Sequence, residues 1–428
     1  MTLEVRRTRH GPLLDGIVDG LDMPIALHWN GSESPSMLAA VLQLDQASDW
    51  PSFRAALSHW TAAPQHFVYA DTEGNIGYQL AGRVPRRTQN QGRVPLPGWT
   101  GAFEWHGEWP FEQLPHTLNP PSGYLVVADQ PITGDAQPVW DGSPAAHRAR
   151  RIEDLLLASD QHTPDSFRAI EADVYTPSAA NLMPYLLALE PQGWLQERVY
   201  RDLLRNWDGQ LAPHSGAGAV WQVFYQHLIE AILLDELGAT LFHDYLNTLD
   251  VHQVVVSLLA DAENPWFDDL TTPQREIRDD VLRRALAEAM DELGRHHGDL
   301  HTNWRWGDLH RLILIHQPLG QSDLPVLARL VNRGPYPLGG SPLTVDATSW
   351  RFAAPFDVIA GPSCRQIVEL GNLDASLFQI NSGQSGQPFH RHYADQVRPW
   401  IDVSPHPAAW SRQAVKAAHV ALLVLQPH

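Results

Sequence analysis

Four serines next to glycine are the candidates for a hydrolytic nucleophile in this sequence: Ser32, Ser143, Ser341 and Ser385. A serine hydroxyl becomes a useful nucleophile only when a neighbouring base takes its proton. The first two stand in Gly-Ser pairs typical of ordinary turns. Ser385 stands in Gly383-Gln-Ser-Gly386, which lacks the spacing of a Gly-x-Ser-x-Gly nucleophile elbow and follows a strand pattern instead of opening a helix. We therefore expect none of the four to act as a nucleophile.

The 22 histidines raise the question of a metal centre, above all His296-His297 with His301 and His390 with His392. No His-Glu-x-x-His pattern or comparable ligand set occurs, so we expect structural or surface histidines. His310 stands in the run Trp304-Arg-Trp-Gly-Asp-Leu-His310, where we expect a buried, hydrogen-bonded imidazole.

Charge and cysteine content exclude several classes of partner and cofactor. Asp and Glu outnumber Lys and Arg by 49 to 30, and the net charge of -19 repels phosphate backbones and anionic lipid, so we expect no nucleic-acid and no membrane partner. The single cysteine, Cys364, rules out an intrachain disulfide and a cysteine-based metal cluster. It leaves a periplasmic and a cytoplasmic location equally open.

Hydrophobic periodicity divides the chain into three parts. Residues 1–145 show short strand patterns, with a hairpin predicted from His66–Ala70 and Ile76–Leu80. The Pro-rich run Val94-Pro-Leu-Pro-Gly98 should be irregular, because proline cannot continue a helix or a central strand.

Residues 146–300 have a helical period, and residues 301–428 return to strands. One predicted helix begins with Thr272 as its N-cap and stops at Gly294. Other helices are predicted over 151–158, 164–172 and 217–237, and strands over 312–316, 344–347, 356–359, 365–370 and 377–380. This order predicts an α+β fold in which a helical region is inserted into a sheet-based layer.

Eight stretches of the sequence form a collinear set of motifs. They are Val5-Arg-Arg-Thr-Arg-His-Gly-Pro12, Phe67-Val-Tyr-Ala-Asp71 with Gly74-Asn-Ile-Gly-Tyr78, Pro95-Leu-Pro-Gly-Trp99, Asn119-Pro-Pro-Ser-Gly-Tyr124, Asn206-Trp-Asp-Gly209, Trp304–His310, Pro337-Leu-Gly-Gly340, and Ser382-Gly-Gln-Ser-Gly386 with His392-Tyr393 and Asp395-Gln396. In these stretches and in their order the chain resembles the penicillin acylase family of N-terminal-nucleophile (Ntn) hydrolases. Each stretch alone is a weak signal, but their shared order is specific.

The resemblance implies part of a four-layer αββα sandwich and a processed enzyme that cleaves a linear carboxamide. In this family the nucleophile is the N-terminal Ser of the β chain, whose own α-amine accepts the hydroxyl proton. The matched stretches belong to the later part of the family's precursor. We therefore expect the nucleophile, an α chain and an N-terminal β segment to come from outside these 428 residues.

Two active-site residues are carried over from the family. Arg148, in Ala146-His-Arg-Ala-Arg-Arg-Ile152, matches the arginine that orients the oxyanion donor. Asp129 stands where the family has the donor itself, an Asn. An ionised carboxylate has no N–H to donate, so the change should cost more than the roughly 3 to 4 kcal/mol of one lost donor. Protonation of Asp129 or replacement by Gln130 would restore a donor, and impaired catalysis is the third outcome.

The resemblance implies no cofactor for catalysis. Members of the family often carry a structural calcium ion, and Asp141 lies where one ligand is expected. Ca²⁺ needs six or more oxygen ligands, and most of the others would come from outside this sequence. We therefore assign no metal site. The substrate would be a small-molecule amide such as a β-lactam acyl side chain or an acyl-homoserine lactone. A scaffold or binding protein that kept the acylase shape without activity is the alternative. Because central strands would be missing, we also expect the isolated chain to aggregate or to bind a partner chain.

Overall fold

The computed structural model describes residues 5–14, 23–33, 37–61, 63–87, 94–128, 132–133, 138–140, 147–246 and 251–426. The chain divides into two compact units, Met1–Gly142 and Ser143–His428. Both units combine helices with small antiparallel sheets, so the fold is α+β as predicted. The three-part division at residues 145 and 300 stays a prediction.

The first unit is centred on the sheet β3–β4–β5, with β4 in the middle. Its elements are β1 (Arg7–Thr8), β2 (Gly11–Pro12), α1 (Leu38–Leu44), α2 (Trp50–Leu57), β3 (Gln65–Ala70), β4 (Ile76–Ala81), β5 (His116–Leu118), β6 (Ile132–Thr133) and β7 (Pro138–Trp140). The described residues 94–105 contain no strand or helix, as the prolines predict.

The predicted hairpin is confirmed and is closed by a carboxylate. Ala70 pairs with Ile76, and the Asp71 carboxylate accepts hydrogen bonds from the backbone N–H groups of Glu73 and Asn75, each at 2.9 Å. Gly74 adopts φ +88°, a left-handed conformation that favours glycine. Local side-chain chemistry at this turn therefore sets the register of β3 against β4.

The second unit contains the main hydrophobic core, built around two long helices. Its helices are α3 (His147–Leu157), α4 (Pro164–Glu171), α5 (Pro177–Leu187), α6 (Gly193–Val199), a π-helical turn (Tyr200–Leu204), α7 (Gly216–Tyr245), α8 (Val251–Leu258), α9 (Arg278–His297), α10 (Trp306–Leu309), α11 (Pro325–Val331), α12 (Val397–Ile401) and α13 (Arg412–Ala418). Helix α7 packs along α9, and their facing side chains, such as Phe224, Leu228 and Leu286, are almost fully buried. The predicted helices over 151–158, 164–172 and 217–237 are confirmed.

The predicted ends of α9 are wrong by about one turn at each end. The helix begins at Arg278, because Glu276 and Arg278 donate backbone hydrogen bonds to Asp268 and Ala262, which hold the preceding segment outside the helix. Thr272 therefore lies in a turn. Gly294 remains helical, and the chain leaves the helix at Gly298, with φ +80°.

The strands of the second unit form a pair and a three-stranded sheet. They are β8 (Arg311–Leu314), β9 (Arg333–Pro337), β10 (Cys364–Ile367), β11 (Leu377–Ile380) and β12 (His406–Pro407), paired as β8–β9 and β10–β11–β12. The predictions over 312–316, 365–370 and 377–380 are confirmed in place, the first two with shorter strands.

Two predicted strands are absent from the described residues 300–426. Residues 344–347 form a turn in which the Thr344 hydroxyl donates to the carbonyl of Asp346 at 2.7 Å. Residues 356–359 make only a single bridge, between Val358 and Leu312, because Phe356 has φ +82°, which breaks an extended run. The hydrophobic period of a sequence shows neither a turn closed by a side-chain hydrogen bond, as at Thr344, nor a residue with positive φ, as at Phe356.

His310 is fully buried and doubly hydrogen-bonded, which confirms the prediction. Its Nδ1 lies 2.7 Å from the carbonyl oxygen of Phe356 and its Nε2 lies 2.9 Å from the Thr348 hydroxyl. The ring stacks on Trp306 with 4.8 Å between centroids and 12° between planes. Burial lowers the pKa of His310 to about 4, so the imidazole is neutral at ordinary pH.

The last described residues carry a run of exposed apolar side chains. Val420, Leu422, Leu423, Val424 and Leu425 expose between 65% and 89% of their surface. An uncovered apolar segment of this kind fits the expectation that the isolated chain aggregates or binds a partner. Among the described residues no helix has the length and apolar character needed to cross a membrane.

Candidate active site

Arg148 lies in the first turn of α3 and is partly buried. The other predicted active-site position, Asp129, lies outside the described residues, as do its neighbour Gln130 and the candidate calcium ligand Asp141. The proximity of Asp129 to Arg148 therefore stays a prediction. What the structure describes is how the start of α3 is held.

A bidentate ion pair anchors α3 one turn after Arg148. The guanidinium of Arg151 donates to both carboxylate oxygens of Asp173, from Nε at 3.0 Å and from Nη2 at 2.7 Å. The Asp173 side chain is only 8% exposed, and Arg151 also lies 4.5 Å above the ring of Tyr175. These hydrogen bonds raise the pKa of Arg151 further, so its guanidinium stays charged at any working pH. Because Arg151 follows Arg148 by three positions, about one helical turn, the ion pair holds the turn that carries Arg148.

A second group of side chains packs against the first residue of α3. The ring of His147 meets the ring of His252 edge to face, with 4.8 Å between centroids. His252 is 2% exposed, and its Nδ1 lies 2.7 Å from the hydroxyl of Tyr225. This cluster could not be predicted from the sequence, because its members lie on α3, α7 and α8, and no short motif links them.

Burial keeps this cluster uncharged. It lowers the pKa of His252 to about 3, it lowers the pKa of His147, and it raises the pKa of Tyr225. The neutral tyrosine hydroxyl and Nδ1 of His252 share one hydrogen bond, in which either the tyrosine O–H or an imidazole N–H is the donor. The other ring nitrogen of His252, Nε2, is buried and has no hydrogen-bond partner among the described residues.

The described serine candidates make only local contacts. The Ser341 hydroxyl accepts from the backbone N–H of Leu343, and the Ser385 hydroxyl accepts from that of Gln387, each at 3.2 Å. Among the described residues neither hydroxyl is bonded to a histidine or a carboxylate. Ser143 and the side chain of Ser32 lie outside the described part.

The histidine groups likewise have structural roles where they are described. His301 is 4% exposed and bonds to Asp202 at 3.0 Å, and His392 bonds to Asp395 at 2.6 Å. The described ranges contain no group of three or more His, Cys, Asp or Glu side chains arranged to hold a metal ion.

Comparison with known proteins identifies the class. The penicillin amidase family model matches residues 1–417, and the chain belongs to that family. A penicillin G acylase from Alcaligenes faecalis has a similar structure, with a TM-score of 0.66 over 99% of this chain and 79% of that chain. At 18% identity this likeness shows the fold alone, and it confirms the predicted Ntn-hydrolase fold class.

Two curated relatives are similar in sequence along nearly the whole chain. The penicillin acylase 2 proenzyme of Pseudomonas sp. (strain SE83) is 30% identical over 97% of this chain and 53% of its own length. The acyl-homoserine lactone acylase QuiP of Pseudomonas fluorescens (strain Pf0-1) is 29% identical over 93% of this chain and 50% of its own length. The chain thus spans about half the length of these relatives.

Proposed function

We propose that this chain forms part of an acylase that hydrolyses a linear carboxamide, with Arg148 as the residue that orients the oxyanion donor. The observation that carries the proposal is the family match across residues 1–417, within which Arg148 stands at the start of a helix held by the Arg151–Asp173 ion pair. Penicillin-type amides and acyl-homoserine lactones are the substrate classes to test first, since the names of the relatives contain them.

The nucleophile in this proposal is an N-terminal serine delivered from outside these residues. Its hydroxyl attacks the amide carbon while its α-amine accepts the proton. The tetrahedral intermediate then expels the amine, and water releases the acid from the acyl-enzyme. This chain would supply groups around the developing oxyanion, at positions 129 and 148.

The test is coexpression of the chain with the coding sequence that precedes it, followed by amine-release assays on acylated amines. We expect hydrolysis that falls by about a hundredfold in Arg148→Ala, because a misplaced oxyanion donor costs that much. Arg150→Ala is the matched control, since Arg150 is an exposed arginine on the same helix. Absence of hydrolysis by a processed, folded assembly with either Asp or Asn at position 129, or equal activity of Arg148→Ala and Arg150→Ala, would refute the proposal.

Position 129 separates this function from the alternative of an inactive scaffold. The carboxylate at Asp129, in place of the family's Asn, favours the alternative. If Asp129→Asn raises the rate by about two orders of magnitude, the protein is an acylase with impaired catalysis. If the unchanged protein is already active and Asp129→Asn brings no gain in rate, Gln130 or another group already donates to the oxyanion. A processed assembly inactive both with Asp and with Asn at this position would support the scaffold.

A further inference from the structure

A cavity of about 450 Å³ lies at the end of β8, within the second unit. One wall is formed by Leu314–Gln317 and by Arg333 at the start of β9. The other is formed by the loop Asn381–Gly386, which follows β11, and by Tyr393. The volume is within the range of small-molecule sites in proteins. The loop contains the Ser-Gly-Gln-Ser-Gly motif, for which the proposed hydrolysis has no use.

The lining of the cavity contains Arg333 and His316 but no Asp or Glu, although the chain as a whole has a net charge of -19. One carboxylate lies close by, since a Cβ atom on Gly383 would be 2.8 Å from Oδ1 of Asp395, whose other oxygen lies 2.6 Å from Nδ1 of His392.

The Arg333 guanidinium donates from Nη1 to the carbonyl oxygens of Leu330, Val331 and Asn332, at 3.1, 3.2 and 2.9 Å, and from Nη2 to that of Pro388 at 2.8 Å. It lies 4.6 Å above the ring of Tyr393. These partners carry no formal charge, and among the described residues Arg333 forms no ion pair, so no carboxylate neutralises it.

Polar groups without protein partners line the same space. His316 is one of the lining residues, and its imidazole has no hydrogen-bond partner among the described residues. The loop is tied down by Ser385 N–H donating to the carbonyl of His392 and by Gln396 N–H donating to that of Ser382, each at 2.9 Å. In the described part of the chain, the N–H groups of Gly383, Gln384 and Gly386 have no protein acceptor.

The Asn381–Gly386 loop can lie against the backbone of His392 only because position 383 is glycine. A Cβ atom there would lie 2.3 Å from the carbonyl oxygen of His392. Gly386 differs, since a Cβ at that position would meet no atom within 4 Å. Substitution of Gly386 therefore adds bulk at the lining of the cavity without a clash against the protein.

We propose that this cavity binds a small organic anion through its carboxylate or phosphate group, held by Arg333, His316 and the N–H groups of the Ser382–Gly386 loop. An arginine with neutral partners, an unpaired imidazole nitrogen and free backbone N–H groups together match the acceptor oxygens of such a group. Leu314 and Ile315 offer apolar surface for a short carbon chain. The proposal does not depend on the acylase activity.

Isothermal titration calorimetry on the full chain tests it, with sodium phosphate, acetate and butyrate as probes up to about 20 mM and sodium chloride at equal ionic strength as the blank. We expect saturable binding of at least one probe, and the tighter of phosphate and carboxylate identifies the ligand class. Arg333→Gln and Gly386→Val should each weaken binding at least about tenfold. Arg329→Gln, which removes an exposed charge from α11, should leave it within about twofold.

His316→Phe provides a second test in case Arg333→Gln does not fold, since phenylalanine keeps an aromatic ring and removes the ring nitrogens. We expect His316→Phe to weaken binding several-fold as well. The proposal is overturned if no probe gives saturable heat above the chloride blank. It is also overturned if folded Arg333→Gln, His316→Phe and Gly386→Val all bind like the parent.

Discussion

The ion pair that anchors α3 gives a direct test of how the start of this helix is held. Replacing Arg151 by alanine would leave the Asp173 carboxylate, 8% exposed, without its charged partner. It would also remove the contact of the guanidinium with the ring of Tyr175. The helix turn that carries Arg148 would lose one of its ties to the rest of the second unit, while the contact of His147 with His252 would remain.

The size of the effect follows from burial and from the contacts that remain. Breaking a fully buried pair by removing one partner costs about 3 to 5 kcal/mol. Here the Arg151 side chain is 24% exposed, and Asp173 keeps a backbone hydrogen bond from Tyr175 at 3.3 Å and a longer one from Gln210 at 3.5 Å. Water and these donors reduce the loss, so we expect Arg151→Ala to lower the free energy of unfolding by about 2 to 3 kcal/mol.

Urea unfolding followed by circular dichroism measures this loss, with Arg150→Ala as the matched control at about 0.5 kcal/mol or less. A double-mutant cycle with Asp173→Asn should return a coupling free energy of at least about 1 kcal/mol. Hydrogen exchange at the amides of 147–157 should accelerate in Arg151→Ala. Equal losses in Arg151→Ala and Arg150→Ala would refute the reasoning.

Four further substitutions test other parts of the second unit. Burial raises the pKa of Glu171, whose Oε2 has no hydrogen-bond partner among the described residues, so the ionised carboxylate costs stability. Glu171→Gln should therefore raise the urea midpoint at pH 7. It should have little effect below pH 4.5, where the carboxyl is protonated in the folded and in the unfolded state. A hydrogen bond to Glu292 raises the pKa of His227. The protonated imidazole therefore stabilises the fold fully below the unfolded pKa of 6.5, and this contribution is lost as the pH rises through the folded pKa. His227→Gln should cost about 1 kcal/mol of unfolding free energy at pH 6 and almost nothing at pH 9 in the same assay. Gly294→Ala should stabilise α9 by about 0.5 to 1 kcal/mol, because alanine favours a helix interior more than glycine. Gly298→Ala should destabilise the helix end by about 1 kcal/mol, because the backbone there has a positive φ. Opposite shifts in the thermal midpoint would check both predictions.

The sequence allowed the fold class and most elements to be predicted where local chemistry decides them. The hairpin around Asp71 has its turn residues in the chain itself, and α7 follows from its apolar period and the cap at Ser215. Collinear family motifs then supplied the Ntn-hydrolase fold, which no periodicity could reveal.

The errors occur where distant contacts override local preference. Thr272 has the pattern of an N-cap, but backbone hydrogen bonds from Glu276 and Arg278 to the loop before it delay the start of α9. The His147–His252–Tyr225 cluster was missed for the same reason, since three separate helices bring it together. Arg148 was placed by family likeness at a helix start, and its role there stays a prediction, as does that of Asp129.

The stacked rings of Trp306 and His310 give the second unit an internal optical reporter. Because the imidazole stays uncharged down to about pH 4, it should not alter the emission of this indole across the pH range of ordinary assays. The difference spectrum between the parent and Trp306→Phe would isolate this signal from the other 15 of the 16 tryptophans. A change in that difference would then register loosening of the aromatic core itself, separately from titration at the surface.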